Sequence, residues 1–294
     1  MSDGVISENR AYLGAGAGIY INGGSVSVSG GSIDNNSADT VGGGVCISFG
    51  NVEISGSVTI QDNMLLGSEF KGTELYIGAE NLTISGGVIQ NGVYSMSMGI
   101  PSYAIYSEKT FAMTGSPTIT DCAITLEQGA HIDVQGLSTD AALTNLQISP
   151  TTYTAGEALL EHATDIAICK KFGLYSPPAD GIWWIGLENG NGVLKTIEGT
   201  YDESTNTITV PTMPDTKDEL QNTVNGSAES GVKVEITGGG NIDIDSTVSV
   251  PGGADVAIKP DTGNSIGINA SGDTKARRFF GCRDGAGTDP HSFP

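Results

Sequence analysis

Val26-Ser-Val28-Ser-Gly-Gly-Ser-Ile33-Asp-Asn returns three more times in the first half of the chain. It comes back as Val52-Glu-Ile54-Ser-Gly-Ser-Val-Thr-Ile60-Gln-Asp-Asn and as Leu82-Thr-Ile84-Ser-Gly-Gly-Val-Ile89-Gln-Asn. The fourth copy is Phe111-Ala-Met113-Thr-Gly-Ser-Pro-Thr-Ile119-Thr-Asp-Cys. Each reads apolar-x-apolar, then Ser or Thr, Gly, a short step, and Ile followed by polar turn residues. The anchors Val28, Ile54, Ile84 and Met113 lie 26, 30 and 29 residues apart. A period of that length, built from short strands and turns, is the mark of a stacked solenoid.

A second phrase precedes the first in every copy: Gly18-Ile-Tyr-Ile21, Gly44-Val-Cys-Ile47, Glu74-Leu-Tyr-Ile77 and Ala104-Ile-Tyr-Ser107. Each coil thus offers two alternating strands and a third short one around Ile33, Ile60, Ile89 or Ile119. Side chains on a strand alternate faces. With Ile19, Ile21, Val26 and Val28 pointing inward, the next coil sets Val45, Ile47, Val52 and Ile54 above them, about 4.8 Å away. The fold class predicted is all-β, a right-handed parallel β-helix. The turn phrase Ile-x-x-Asn (Ile6 to Asn9, Ile33 to Asn36, Ile60 to Asn63) supplies its corners. Asn tolerates left-handed backbone and can bond to the coils on either side. Val88-Ile-Gln-Asn91 varies this phrase, and Cys122 replaces Asn in the fourth copy.

Composition agrees. The 294 residues include 43 glycines and few aromatics, a mix that favours short strands and tight turns over helices. A net charge of −21 argues against nucleic acid, anionic membranes and acidic polysaccharides, all of which need a basic face. The four cysteines are scattered without CxxC spacing, which disfavours a disulfide framework or a zinc site. No apolar run reaches the roughly 20 residues of a membrane span, so no membrane insertion is expected. Residues 1–12 are polar, with no signal sequence, and read as the end of an earlier repeat in a longer protein.

Residues 1–136 form the repeat array. From Leu137 the periodicity fails, and residues 137–213 read as a small β-rich insert. It carries a helix-capable stretch at Ala158–His162, the pair Trp183-Trp184 (one core, one contact) and a hairpin signal at Glu188-Asn-Gly-Asn-Gly192. Residues 214–275 read as the capped start of a second β-helix. There a short helix over Asp218–Val224, with Thr216 as N-cap, precedes strands at Val232–Ile236, Ile242–Asp245, Thr247–Val250 and Val256–Ile258. Residues 276–294 hold three of the four arginines and no alternation, and read as a disordered or non-native tail.

The phrases Gly42-Gly-Gly-Val45 and Gly16-Ala-Gly-Ile19, together with Ile-x-x-Asn, resemble repeats of bacterial surface β-helix proteins. These are adhesin-like, autotransporter-passenger-like and polymorphic outer-membrane-protein-like chains, the last with Phe-x-x-Asn where this chain has Ile-x-x-Asn. The resemblance covers about residues 1–135. It implies a secreted or cell-surface location and a partner that is a host or matrix protein or a glycan.

No residue set specifies a reaction. Asp34, Asp62 and Asp121 fall at similar coil positions and could stack as a carboxylate edge, as glycoside hydrolysis requires of a pair. Beside Asn they read as turn polarity. His131-Ile-Asp133 puts two ligand types on one face without a third, and Asp243 and Asp245 project outward from one strand. No catalytic residue, metal ligand or cofactor is therefore assigned. The one candidate contact face is a column of outward positions, Tyr20, Cys46, Tyr76 and Tyr106. Its three exposed tyrosines would stack on sugar rings or take a protein. The function implied is a non-catalytic adhesin or stalk, with a polysaccharide-binding or polysaccharide-degrading β-helix as the alternative and a plain spacer as the third reading.

Overall fold

The structure is a computed structural model describing residues 1–67, 71–79, 81–90, 103–211, 214, 217–237, 240–244, 248–259 and 266–270. Strand accounts for 49% and helix for 7%, and the coils stack in parallel as a β-solenoid of about 8 turns. Two compact units are present. One takes Met1–Ser176 with Ile185–Leu194, the other Pro177–Trp184 with the chain from Lys195 onward.

In the first unit, three aliphatic columns run from coil to coil. Ile6, Ile33, Ile60, Ile89, Ile119 and Leu143 are successive partners. So are Ile19, Val45, Leu75, Ile105, Ile124, Ile148 and Leu174. Val28, Ile54, Ile84 and Met113 make the third. Most members are fully buried, Ile33, Ile60, Leu75, Ile84 and Ile119 among them. Each fully buried member contributes about 1.5–3 kcal/mol of hydrophobic stabilisation.

The corners divide two tasks that the sequence pattern assigns to asparagine alone. The left-handed residue is the one before the ladder position: Glu8, Asn35, Asp62, Asp121 and Asn145 have φ between 50° and 59°. That turn rotates the next side chain into the interior. Asn36 and Asn63 are there completely buried. Asn36 Nδ2 donates to Ile6 O, Asp34 O and Asn63 Oδ1. Asn63 Nδ2 donates to the equivalent Ile33 O and Gln61 O. Buried amides are thereby satisfied from the coils on either side. Cys122 keeps the pattern with weaker chemistry, its thiol directed at Thr120 O and Ile89 O. Asn91 lies outside the described residues.

Room for these amides comes from the glycine opening the next phrase. A Cβ on Gly18 would stand 2.5 Å from Gly44 O, 2.8 Å from Ile33 Cγ2 and 3.1 Å from Asn36 Nδ2. Glu74 holds the same place one coil beyond Gly44.

Parallel stacking continues past residue 136. Ala142–Pro150 pairs residue for residue with Thr118–Leu126, Ala158–Glu161 lies beside Ile132–Asp133, and Gly173–Leu174 follows Gln147 and Ile148. The Ser/Thr-Gly phrase is lost here, but the inward apolar positions persist. Within the stretch Ala158–His162, read from sequence as helix-capable, Ala158–Glu161 is strand, because Leu160 completes the column above Ile132. A short helix instead occupies Ile166–Cys169, capped by Asp165, whose carboxylate accepts the Ala167 N–H at 2.8 Å. Gly181–Glu188 and Asn191–Glu198 form the expected hairpin, its turn Asn189-Gly190 at φ 49° and 77°.

In the second unit, Thr207–Val210, Lys233–Ile236 and Val256–Ile258 stack in parallel. The helix Lys217–Ser230 buries Leu220 and Val224 in a core with Ile208, Val234 and Ile236. Ser227 Oγ ties the helix to this stack, donating to Val232 O and accepting from Asp255 N–H. Trp184 packs against this core, while Trp183 is half-buried and donates to Asp180. Val248–Val250 is not strand. Thr216, Asp245 and the 276–294 tail lie outside the described residues, as does much of the linker around Pro211. No helix among the described residues is long and apolar enough to cross a membrane.

Candidate contact surfaces of the solenoid

The tyrosine column exists in register: Tyr20 lies beside Cys46, Cys46 beside Tyr76, and Tyr76 beside Tyr106. Its exposure is another matter. Tyr20 is 53% exposed, Tyr76 is half-buried, and Tyr106 is only 6% exposed. Cys46 is buried, because the loops at Gly16 and Gly42 pass close to its Cβ.

Tyr76 and Tyr106 stack on each other, rings nearly parallel with centroids 6.0 Å apart. The Lys71 ammonium sits 4.9 Å above the Tyr106 ring and bridges to Glu108 at 3.8 Å. Tyr106 donates its hydroxyl to Glu127. Burial, and then the carboxylates of Glu108 and Glu127, push the Tyr76 and Tyr106 hydroxyls well above the usual phenol range. Those rings serve as internal packing with satisfied polar ends. Tyr20 is the most exposed ring of the column.

The three carboxylates do not fall in one row. Asp34 is in register with Gln61, one position short of Asp62 and Asp121 in the corner. It accepts from Asn35, and Asp121 accepts from Asn145. His131 and Asp133 find partners that sequence spacing hides, since they lie one coil on. His131 Nδ1 meets Glu161 and His162 Nδ1 meets Asp133, each at 2.9 Å. The crossed arrangement staples two coils. Glu161 and His162 become visible only once Ala158–Glu161 is read as strand. Among the described residues, no group of three or more His, Cys, Asp or Glu is placed to hold a metal ion. The side chains of Asp243 and Asp245 are outside the description.

A groove of about 470 Å³ crosses three coils on another part of the solenoid wall. Its first rail is Ser25, Asn51 and Asn81, its second Ser27, Glu53 and Thr83. Between the rails lie Val26 and Val52. The x of the apolar-x-apolar phrase is the signal that locates the second rail. Phe49 stands 67% exposed two residues before Asn51. The bend that lifts it depends on Gly50, at φ 117°, where a Cβ would come within 2.8 Å of Gly24 O.

No family model, curated protein or solved structure matches this chain.

Proposed function

We propose that this chain is a non-catalytic segment of a cell-surface or secreted β-helical protein, acting as a stiff stalk that displays a repetitive contact surface. The observation that carries this reading is the parallel pairing that links the described coils from Val5 to Leu174, which repeats outward positions from coil to coil. Weak contacts repeated along such a wall add up through effective concentration. The likeness of its Gly-Gly-x-apolar and Ile-x-x-Asn phrases to bacterial adhesin and autotransporter-passenger repeats supports the same reading. The partner class is a host or matrix protein or a glycan.

A polysaccharide-degrading enzyme is the weaker reading. Glycoside hydrolysis uses two carboxylates across the scissile bond, and the groove is lined by one, Glu53.

Beads carrying the folded chain at graded density, applied to a printed panel of glycans and matrix proteins, test the proposal. Retention that rises more steeply than linearly with density is the expected result. No retention at any density would leave the spacer reading, and release of new sugar ends from a printed glycan would mean an enzyme.

A further inference from the structure

We infer that the groove over Val26 and Val52 is a binding site for a neutral glycan chain lying along the solenoid axis. This rests on the contact-surface reading above and names its ligand class and its residues.

The rails are set by strand geometry. Residues two apart on one strand project to the same side about 6.6 Å from each other, and successive coils repeat about every 4.8 Å. Ser25 and Ser27, and Asn51 and Glu53, therefore start two parallel lines of polar side chains, continued by Asn81 just before its strand and by Thr83, with the main chain of Val26 and Val52 between them. Ser25, Ser27, Asn51, Glu53 and Asn81 are exposed and Thr83 half-exposed, while Val52 is buried in the floor.

The lining chemistry selects the occupant. Hydroxyls and amides both donate and accept, which is what a run of sugar hydroxyls offers in return. An extended peptide instead needs an open strand edge for its main chain or apolar pockets for its side chains. The three strands beneath this groove are already paired with one another, so they offer no edge here. Charge narrows the choice. The single ionisable lining residue is Glu53, on a chain of net charge −21, and both repel uronates and sulfated sugars.

Phe49 adds the apolar component. It is exposed, as Asn51 and Glu53 on the same strand are, and its ring is largely uncovered. A pyranose presents a face of C–H bonds that packs on such a ring while its equatorial hydroxyls reach sideways to the rails.

The test is calorimetric titration of the whole chain with neutral hexasaccharides (β-1,3- and β-1,4-glucan, mannan and galactan series), with hexagalacturonate as the anionic comparison. At least one neutral hexamer binds, and hexagalacturonate binds at least about tenfold more weakly. Phe49→Ala weakens the neutral ligand about tenfold, and Asn51→Ala does so several-fold. Both positions are on the surface, so circular dichroism should show an unchanged fold. Glu53→Gln narrows the gap between neutral and anionic ligands. Failure of every neutral hexamer overturns the inference, as does binding that ignores Phe49→Ala and Asn51→Ala. A groove-dependent signal from matrix proteins alone overturns it in favour of a protein partner. Beads that still adhere while the groove variants behave as wild type leave the display reading standing. Beads that never adhere, together with no calorimetric signal from any neutral hexamer, remove both.

Discussion

Glu74 ends the asparagine ladder by accepting both donors of Asn63, the main-chain N–H at 3.0 Å and the side-chain amide at 2.5 Å. It occupies the place that Gly18 and Gly44 hold in the coils before it, and sends a carboxyl where those coils leave space for an amide. The group is completely buried. Burial pushes its pKa up to about 8, with Asp62 adding in the same direction and the bonds from Asn63 opposing.

A raised carboxyl pKa means that the folded protein holds a proton which the unfolded chain has released. Stability is therefore full below the ordinary carboxylate range, near pH 4.5, and declines as pH rises towards about 8. The slope is at most about 1.4 kcal/mol per pH unit. Urea melts from pH 4.5 to 9 should show this decline. Glu74→Gln should remove its contribution while keeping the ladder, since Asn63 Oδ1 already accepts both donors of Asn36 with one amide oxygen. Unchanged pH dependence in Glu74→Gln would mean that the decline comes from other groups.

Gly18→Ala tests the space reserved for the ladder. The added methyl meets Gly44 O and Ile33 Cγ2 inside van der Waals contact and has no flexible neighbour to displace. Overpacking of this kind costs about 1–3 kcal/mol, read as a lower urea midpoint. Alanine at Gly129, where nothing lies within 4 Å but φ is 82°, meets no such clash and loses only the backbone preference.

Tyrosine substitutions should separate packing from contact. Tyr106→Ala empties a buried site and should cost about 3–5 kcal/mol, whereas Tyr20→Ala should change stability by no more than about 0.5 kcal/mol. Equal losses in thermal melts would show that Tyr20 is packed like Tyr106.

His162 is a spectroscopic probe of the coil staple. The hydrogen bond to Asp133 raises its pKa above the ordinary histidine value, against a smaller opposing effect of desolvation. Its pairing is thus in force below that ordinary value, near 6.5, and is lost as pH rises through the folded one. An NMR titration of the imidazole should place His162 high, and Asp133→Asn should bring it back. An identical titration in Asp133→Asn would place the cause elsewhere.

The solenoid was legible in the sequence because stacking imposes one rule on every coil, and Ile33, Ile60, Ile89 and Ile119 obey it visibly. Past Leu137 the same rule is met by Leu143, Leu146, Ile148 and Leu160 without the Ser-Gly phrase. Periodicity of the turns then vanishes while periodicity of the core does not. Ala158–Glu161 was ambiguous for the same reason: in so short a run, tertiary packing overrides helix propensity. The tyrosine column was legible as register but not as exposure, because exposure depends on how Lys71, Glu108 and Glu127 fold against the rings, which alternation does not show. Glu74 looked like an ordinary strand-end residue, since alternation says nothing about a side chain that turns into a corner.

A ladder that ties Asn9, Asn36 and Asn63 together and stops at Glu74 sets a limit to how the wall can come apart. In a linear array each coil leans only on its neighbours, so opening spreads from one to the next. Coils joined by shared amides cannot leave singly without stranding a buried donor, and they should let go as one block. Amide hydrogen exchange would then give one common opening energy from Ile33 to Asn63 and a step to a different value beyond Glu74.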